Sequence, residues 1–334
     1  MSDHFGGPRR IIDDVTLRLT DHLQDAARAR AELIRGHSRT LDLGTRQLVD
    51  RDQLNANRLN WYESIFTPQH PPGPNGRRFA PYTPSAAELE MRSRVLTDMD
   101  RLTDSLPESA NGVYIMRSGH DLQIYKPAAE ETFGLRNWLP HKHGSLAIRE
   151  VAGYRVFEMM GFPRVPPTAL GGGPRGLGSK QQHMPLGRSK PASKFRREHQ
   201  QQAAAGHFVI GASDAKRRNF QPLEHSDSRP SEEDDLVLYD LGHSIPERSH
   251  SSSGYSHSFE IHSDFVNKWA GETLDDNVMA GVDRVTPDML GSALEDLRLI
   301  YEDGTEIRFS DDAINGVLGR HHDLKTTGGI PSRI

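Results

Sequence analysis

The sequence contains no cysteine, which excludes disulfides, thiolate catalysis and Cys-ligated zinc and is compatible with a reducing cytosol. Long apolar runs are also missing. No stretch reaches the ~18 apolar residues of a spanning helix, so no transmembrane segment is expected. The opening MSDHFGGPRR lacks the apolar core of a cleaved secretion signal. A cytoplasmic protein is the expectation, with delivery as a secreted effector left open. Positive charge is not in excess: a net charge of −5 gives no reason to expect a nucleic-acid partner. Apolar residues make up only 35% of the 334, so long polar loops should accompany a core divided into two or three units.

Residues 11–66 carry apolar positions at roughly helical spacing, from Ile11, Ile12 and Val15 through Leu59 and Tyr62. These helices are read as packing on the rest of the chain, self-associating, binding a partner or serving delivery. Five prolines between Thr67 and Pro84 then mark an extended linker. Ser85-Ala-Ala-Glu88 has capping-box spacing and predicts a helix whose stripe includes Leu89, Val95, Leu96, Met99 and Leu102.

From Asn111 the pattern shifts to short strands. Val113–Met116, a Ser118-Gly119 turn and Leu122–Tyr125 predict a β-hairpin. Leu146 to Met160 reads as a helix closed by Gly161, and Gly171–Gly178 as a glycine-rich turn. Gln181–Pro185 reads as a strand passing into a hinge, and residues 197–212 as a helix. A helix opened by Thr286-Pro287 is expected to carry Leu290, Leu294, Leu297 and Ile300 on one face.

Two sequence patterns carry chemistry. Asp214 lies five residues before Asn219, and Asp240 ends the apolar run Leu236–Tyr239. In phosphoryl transfer, an Asp can orient the acceptor hydroxyl, an Asn five residues on can hold a metal, and a later Asp can hold the cations that bridge ATP phosphates. Asp240 and Asn219 offer hard oxygen ligands suited to Mg2+. Lys126, at the end of a strand, is the candidate to hold ATP phosphates, with Glu150 on the next helix to fix its ammonium. Ser109 and Gly112 form a candidate phosphate loop, although neither common glycine-rich signature is present. Of the seventeen histidines, none falls in H-E-x-x-H spacing; His243 alone stands close enough to Asp240 to contact phosphate or fix the loop.

The basic residues are clustered. Lys216, Arg217 and Arg218 follow Asp214, and Arg188, Lys190, Lys194, Arg196 and Arg197 form a second patch. Such groups could meet phosphate or an acidic substrate; the 188–197 patch is read as a solvated face.

The ordered set Lys126, Glu150, Asp214, Asn219 and Asp240 resembles the phosphatidylinositol 3- and 4-kinase-like branch of the protein-kinase-like superfamily over residues 108–285. Its catalytic loop commonly reads G-x-x-D-R-H-x-x-N, against Gly211-Ala-Ser-Asp214-Ala-Lys-Arg-Arg-Asn219 here. Its metal segment commonly reads I-D-F-G-H, against Tyr239-Asp-Leu-Gly-His243. Ile124-Tyr-Lys-Pro127, Arg149-Glu150 and Val165-Pro-Pro-Thr168 look like segments of bacterial members. Ala215 and Lys216 depart from the usual Arg-His, with Lys216 a candidate for compensating phosphate charge.

The resemblance implies an α+β, bilobal protein-kinase-like fold with an additional N-terminal helical region. The expected units are an extension and linker over 1–84, a helix plus small lobe over 85–185, and a large lobe over 186–334. It also implies ATP and Mg2+ as cofactors and transfer to a hydroxyl, with a protein Ser/Thr favoured over an inositol lipid. A catalytically silent scaffold and an AMP-transferase are the alternatives. The serine-rich stretch 244–258 is expected to be autophosphorylated and to pair with Arg248 or the 216–218 cluster.

Overall fold

The computed structural model describes residues 79–103, 109–133, 139–224, 235–247 and 260–332, all within one compact unit. The expected N-terminal helices and residues 67–78 of the linker lie outside the described residues, as does 248–258 of the serine-rich stretch. The architecture is mixed α/β, with helices around small antiparallel sheets.

A four-stranded antiparallel sheet holds β1 (Tyr114–Ser118), β2 (Asp121–Pro127), β3 (Thr168–Gly173) and β4 (Gly176–Gln182) in the order β1-β2-β4-β3. The expected hairpin forms at β1–β2, with Gly119 at φ 63 in its turn and Ser118 paired to Asp121. Because strand side chains alternate between faces, Tyr125 and Lys126 point opposite ways. Tyr125 joins Tyr114, Met116 and Leu96 in an apolar cluster, whereas Lys126 lines a cavity with its cross-strand neighbour Ser179.

The glycine-rich stretch is not the turn it was expected to be. Gly171 to Gly173 belong to β3 and pair with Gly176 to Gly178 of β4. The reason is space. A Cβ at Gly173 would lie 2.6 Å from the Tyr125 ring, and one at Gly178 would lie 2.2 Å from the Lys126 carbonyl oxygen. Glycine here lets strands and side chains approach.

Helix α1 (Ala86–Ser93) also departs from expectation, stopping well before Leu102. Lys180 on β4 donates to the carbonyls of Arg92 and Arg94, satisfying the end of the helix from outside. Only Leu96 of the expected stripe is buried; Leu89, Val95, Met99 and Leu102 are exposed. The Ser85 hydroxyl accepts the Glu88 N–H as a cap should. Glu88 does not return the bond, because its carboxylate is taken by Arg155.

Helix α2 (Ser145–Met159) is buried on nearly every face and packs against β3 and β4 of the sheet. Its first turn is capped from a distance: the Glu131 carboxylate accepts the N–H groups of Gly144, Leu146 and Ala147. Helix α3 (Arg197–Ile210) ends at Gly211 in the left-handed region, φ 60, where only glycine sits without steric cost. Strands β5 (Phe220–Pro222) and β6 (Leu236–Leu238) pair antiparallel.

The remaining helices are α4 (Asp264–Trp269), α5 (Asp276–Arg284), α6 (Pro287–Glu295) and α7 (Asp311–Thr327). The Thr286 hydroxyl caps α6 as expected. The shared face beyond it fails: α6 ends at Glu295, leaving Leu297 in the connection and Ile300 on β7 (Arg298–Ile300), which pairs with β8 (Glu306–Arg308). Leu297 is buried from the connection and Leu299 from the strand instead.

Candidate functional site

The antiparallel pairing of β5 and β6 brings Asn219 and Asp240 to one end of a sheet. Asn219 immediately precedes β5, Tyr239 immediately follows β6, and the Tyr239 N–H donates to the Asn219 carbonyl at 3.1 Å. A second staple joins the same two segments. Ser213 donates both its N–H, at 2.9 Å, and its hydroxyl, at 2.7 Å, to the His243 carbonyl. The loop carrying Asp214 and the turn carrying Asp240 are therefore tied together on both sides.

Lys126 reaches this place from the four-stranded sheet. Its Nζ lies 2.5 Å from Glu150 Oε1 and 3.0 Å from Asp240 Oδ1. The other oxygen of Glu150 accepts the Leu241 N–H at 3.0 Å. Glu150 thus holds the lysine and the turn at once. Burial disfavours the charged Lys126, but the carboxylates of Asp240 and Glu150 overcome this and raise its pKa, so the ammonium persists. The Lys126 charge draws the Asp240 carboxyl below its ordinary range, against desolvation. Burial raises Glu150, with Lys126 opposing. Asp240 adopts a left-handed backbone, φ 59, which an Asp tolerates better than most residues.

Asp214 is buried, and its carboxylate receives Arg218 at 2.8 Å and Lys216 at 3.5 Å. The Asn219 side-chain nitrogen donates to the Asp214 carbonyl at 2.6 Å, which leaves the amide oxygen as the group available to a cation. Ala215 is buried and fixed by backbone: its N–H donates to His262, and its carbonyl accepts from Asp264. At this position, where the resembled family often has an arginine, the chain packs its backbone against the segment leading into α4.

Asn111, Gly112, Lys126, Glu131, Ser179, Glu150, Asp240 and His243 line a common cavity of ≈ 10 Å³, enough for about one water. Gly112 is thus brought to the site. Ser109 is not among the lining residues, and its hydroxyl accepts the Asn111 N–H at 3.3 Å. His243 lines the cavity and also anchors the Asp214 loop through its carbonyl. Ser244, at the head of the serine-rich stretch, is buried and donates to the Leu241 carbonyl. Among the described residues no group of three or more His, Asp or Glu side chains is arranged to hold a metal, and no helix is long and apolar enough to cross a membrane.

Two contributors had not been anticipated. Glu131 caps α2 thirteen residues before Gly144, too far for any local capping pattern to reveal. Arg218, noted only as part of a basic run, is the closer of the two cations on Asp214.

No family model and no curated protein matches the chain. Among solved structures, the chain is similar to the Helicobacter pylori proinflammatory kinase CtkA. The TM-score is 0.42 at 10% identity, covering 71% of this chain and 95% of that one. A Golgi casein kinase with Mn/ADP bound gives 0.43 at 10% identity, with 72% and 74% covered. A further structure of the Golgi casein kinase gives 0.42 at 10% identity, with 72% and 73% covered. These likenesses are coarse.

Proposed function

We propose that the protein is an ATP- and Mg2+-dependent phosphotransferase acting on a hydroxyl, most simply a protein Ser or Thr. One observation carries the reading: Lys126, Glu150 and Asp240, from three distant segments, meet in a single charged cluster beside Asp214 and Asn219. In this reading the four-stranded sheet and α2 form a small lobe, and α3 to α7 with β5 and β6 a large one.

The residues suit the absent groups chemically. Lys126 supplies a persistent positive charge for phosphate oxygens, and Glu150 fixes its position. The Asp240 carboxylate and the Asn219 amide oxygen supply two hard ligands, the remainder coming from phosphate and water. Mg2+ supplies charge neutralisation of the phosphates when bound. Asp214 orients the acceptor hydroxyl and takes its proton, while Lys216 and Arg218 keep the carboxylate in place. The water-sized cavity must widen to admit a polyphosphate; Asn111 and Gly112, like Glu131 and Asp240, line it from outside helix and strand, but without the ion pair that holds Asp240 or the three backbone N–H groups that hold Glu131.

Calorimetry with ATP, with and without Mg2+, tests this on the wild type, Lys126→Met and Asp240→Asn. Mg2+-dependent binding weakened by both substitutions is expected; binding equal in all three proteins would contradict it. Mass spectrometry of the modified protein then separates phosphate from AMP transfer.

A second reading, a nucleotide-binding scaffold without turnover, draws on the two cations held on Asp214 and the buried Ala215. Magnesium-dependent ATP binding with no transfer to any acceptor would favour it.

A further inference from the structure

The basic residues of 188–197 and those after Asp214 form one surface. Arg217 donates to the Ser189 carbonyl at 3.2 Å and to its hydroxyl at 3.3 Å. The strap before it is pinned alongside β5, with Gly187 N–H on the Pro222 carbonyl and Glu224 N–H on the Pro185 carbonyl. The neighbours of Arg217 in sequence, Lys216 and Arg218, are the two cations on the Asp214 carboxylate. The strap therefore leads directly to the candidate catalytic Asp.

Its charge is lopsided. Residues 186–219 hold eight Lys or Arg against two acids, Glu198 and Asp214, in a chain of net charge −5. Asp214 is buried, and Arg197 is matched by Asp275 at 3.0 Å. Arg188, Lys194, Arg196 and Arg217 are exposed. A row of exposed cations this long accelerates and orients the approach of a complementary chain.

Resting on the phosphotransferase reading, we propose that this strap docks an acidic segment of the protein substrate, next to the hydroxyl that Asp214 orients. A membrane is a poorer fit. Stable surface binding needs buried apolar area as well as charge. Among the described residues the exposed large apolar side chains are Leu89, Val95, Met99, Leu102 and Met289, none on the strap. A single-stranded nucleic acid needs aromatic platforms, but the phenylalanines of 186–219, Phe195 and Phe208, are both buried, with the Lys190 ammonium 4.6 Å over the Phe195 ring.

Fluorescence anisotropy on the full chain tests the proposal without requiring turnover. The probes are three labelled serine peptides, flanked by Glu, Gln or Lys, with phosphatidylserine-containing vesicles and a single-stranded oligonucleotide as competitors. The Glu-flanked peptide is expected to bind tightest, with affinity falling as salt rises. Arg188→Glu with Lys194→Glu should weaken it roughly tenfold, leaving the melting temperature and ATP binding unchanged. Equal affinity for the three peptides, no effect of the double reversal, or preferential binding of vesicles or oligonucleotide would overturn the proposal. So would acidic-peptide binding seen only after Glu232, Glu233 and Asp234 are replaced by Ser, since the chain's own acidic segment would then be the occupant. The two readings separate cleanly. Acidic-peptide binding without phosphate transfer sinks the phosphotransferase, and equal transfer to all three peptides sinks the docking surface.

Discussion

Glu150 accepts the Leu241 N–H at 3.0 Å through one carboxylate oxygen while the other holds Lys126 at 2.5 Å. One side chain on α2 therefore sets both the cation and the turn that carries Asp240. The substitutions Glu150→Gln and Glu150→Ala separate these jobs. Glutamine can keep the bond to Leu241 but not the charge, so ATP affinity should fall roughly tenfold with modest loss of stability. Alanine leaves Lys126 paired only with Asp240 and should cost a further ~2 kcal/mol of stability. Calorimetry and urea denaturation of both variants check this.

The opposite side of α2 is held by a fully buried pair. Arg155 donates to both oxygens of Glu88, at 3.0 and 2.7 Å, and to the Ala293 carbonyl at 2.7 Å. Both side chains are 0% exposed. Removing Glu88 leaves the buried Arg155 only the Asp296 carboxylate, at 3.1 Å and partly exposed, so Glu88→Ala should cost about 3 kcal/mol in chemical denaturation. The paired variant Glu88→Leu with Arg155→Met should recover much of it.

Gly178 pairs with Pro127, next to Lys126. A Cβ there would lie 2.2 Å from the Lys126 carbonyl oxygen and 2.9 Å from the Pro127 Cα, both backbone atoms unable to rotate away. Gly178→Ala should destabilise by about 1–3 kcal/mol and weaken ATP binding by displacing Lys126. The same change at Gly176, where a Cβ would meet nothing within 4 Å but φ is 93, should cost only backbone strain. Comparing the two variants by thermal melting and calorimetry checks this.

His207 contributes a pH dependence. It is buried on α3 between the Phe157 and Phe265 rings, 2.9 Å from the Ser263 hydroxyl. Burial lowers its pKa to about 3. The folded protein therefore refuses a proton that the unfolded chain accepts near 6.5. The resulting stability is fully present above ~6.5 and declines by on the order of 1 kcal/mol per pH unit as pH falls toward ~3. Melting temperatures between pH 7 and 4 should fall less steeply in His207→Gln than in the wild type.

The residues that cluster here stood out in the sequence because each sits in a short local pattern, although the segments that carry them are far apart. Asp214 and Asn219 lie within one loop, Asp240 stands two residues past a three-residue strand, and Lys126 ends a regular alternation. What local pattern could not show was set by distant partners. Helix α1 stops where Lys180 takes its carbonyls, and Gly171 to Gly173 extend as a strand because Tyr125 and Lys180 fill the space above them. Ile300 left the expected helix face because pairing of β7 with β8 claimed its backbone, and Leu297 because the helix ends at Glu295 ahead of that strand. Glu131 caps a helix from across a connection, and nothing near it in sequence signals that role.

The most direct test of the account follows labelled γ-phosphate from ATP, with Mg2+, into the protein itself, Ser/Thr substrates and inositol lipids. Wild type is compared with folded Asp214→Ala and Asp240→Asn. Transfer by the wild type, reduced about 100-fold or more in each variant, is the predicted result. No transfer to any acceptor by folded wild type, or transfer undiminished in Asp240→Asn, would contradict it.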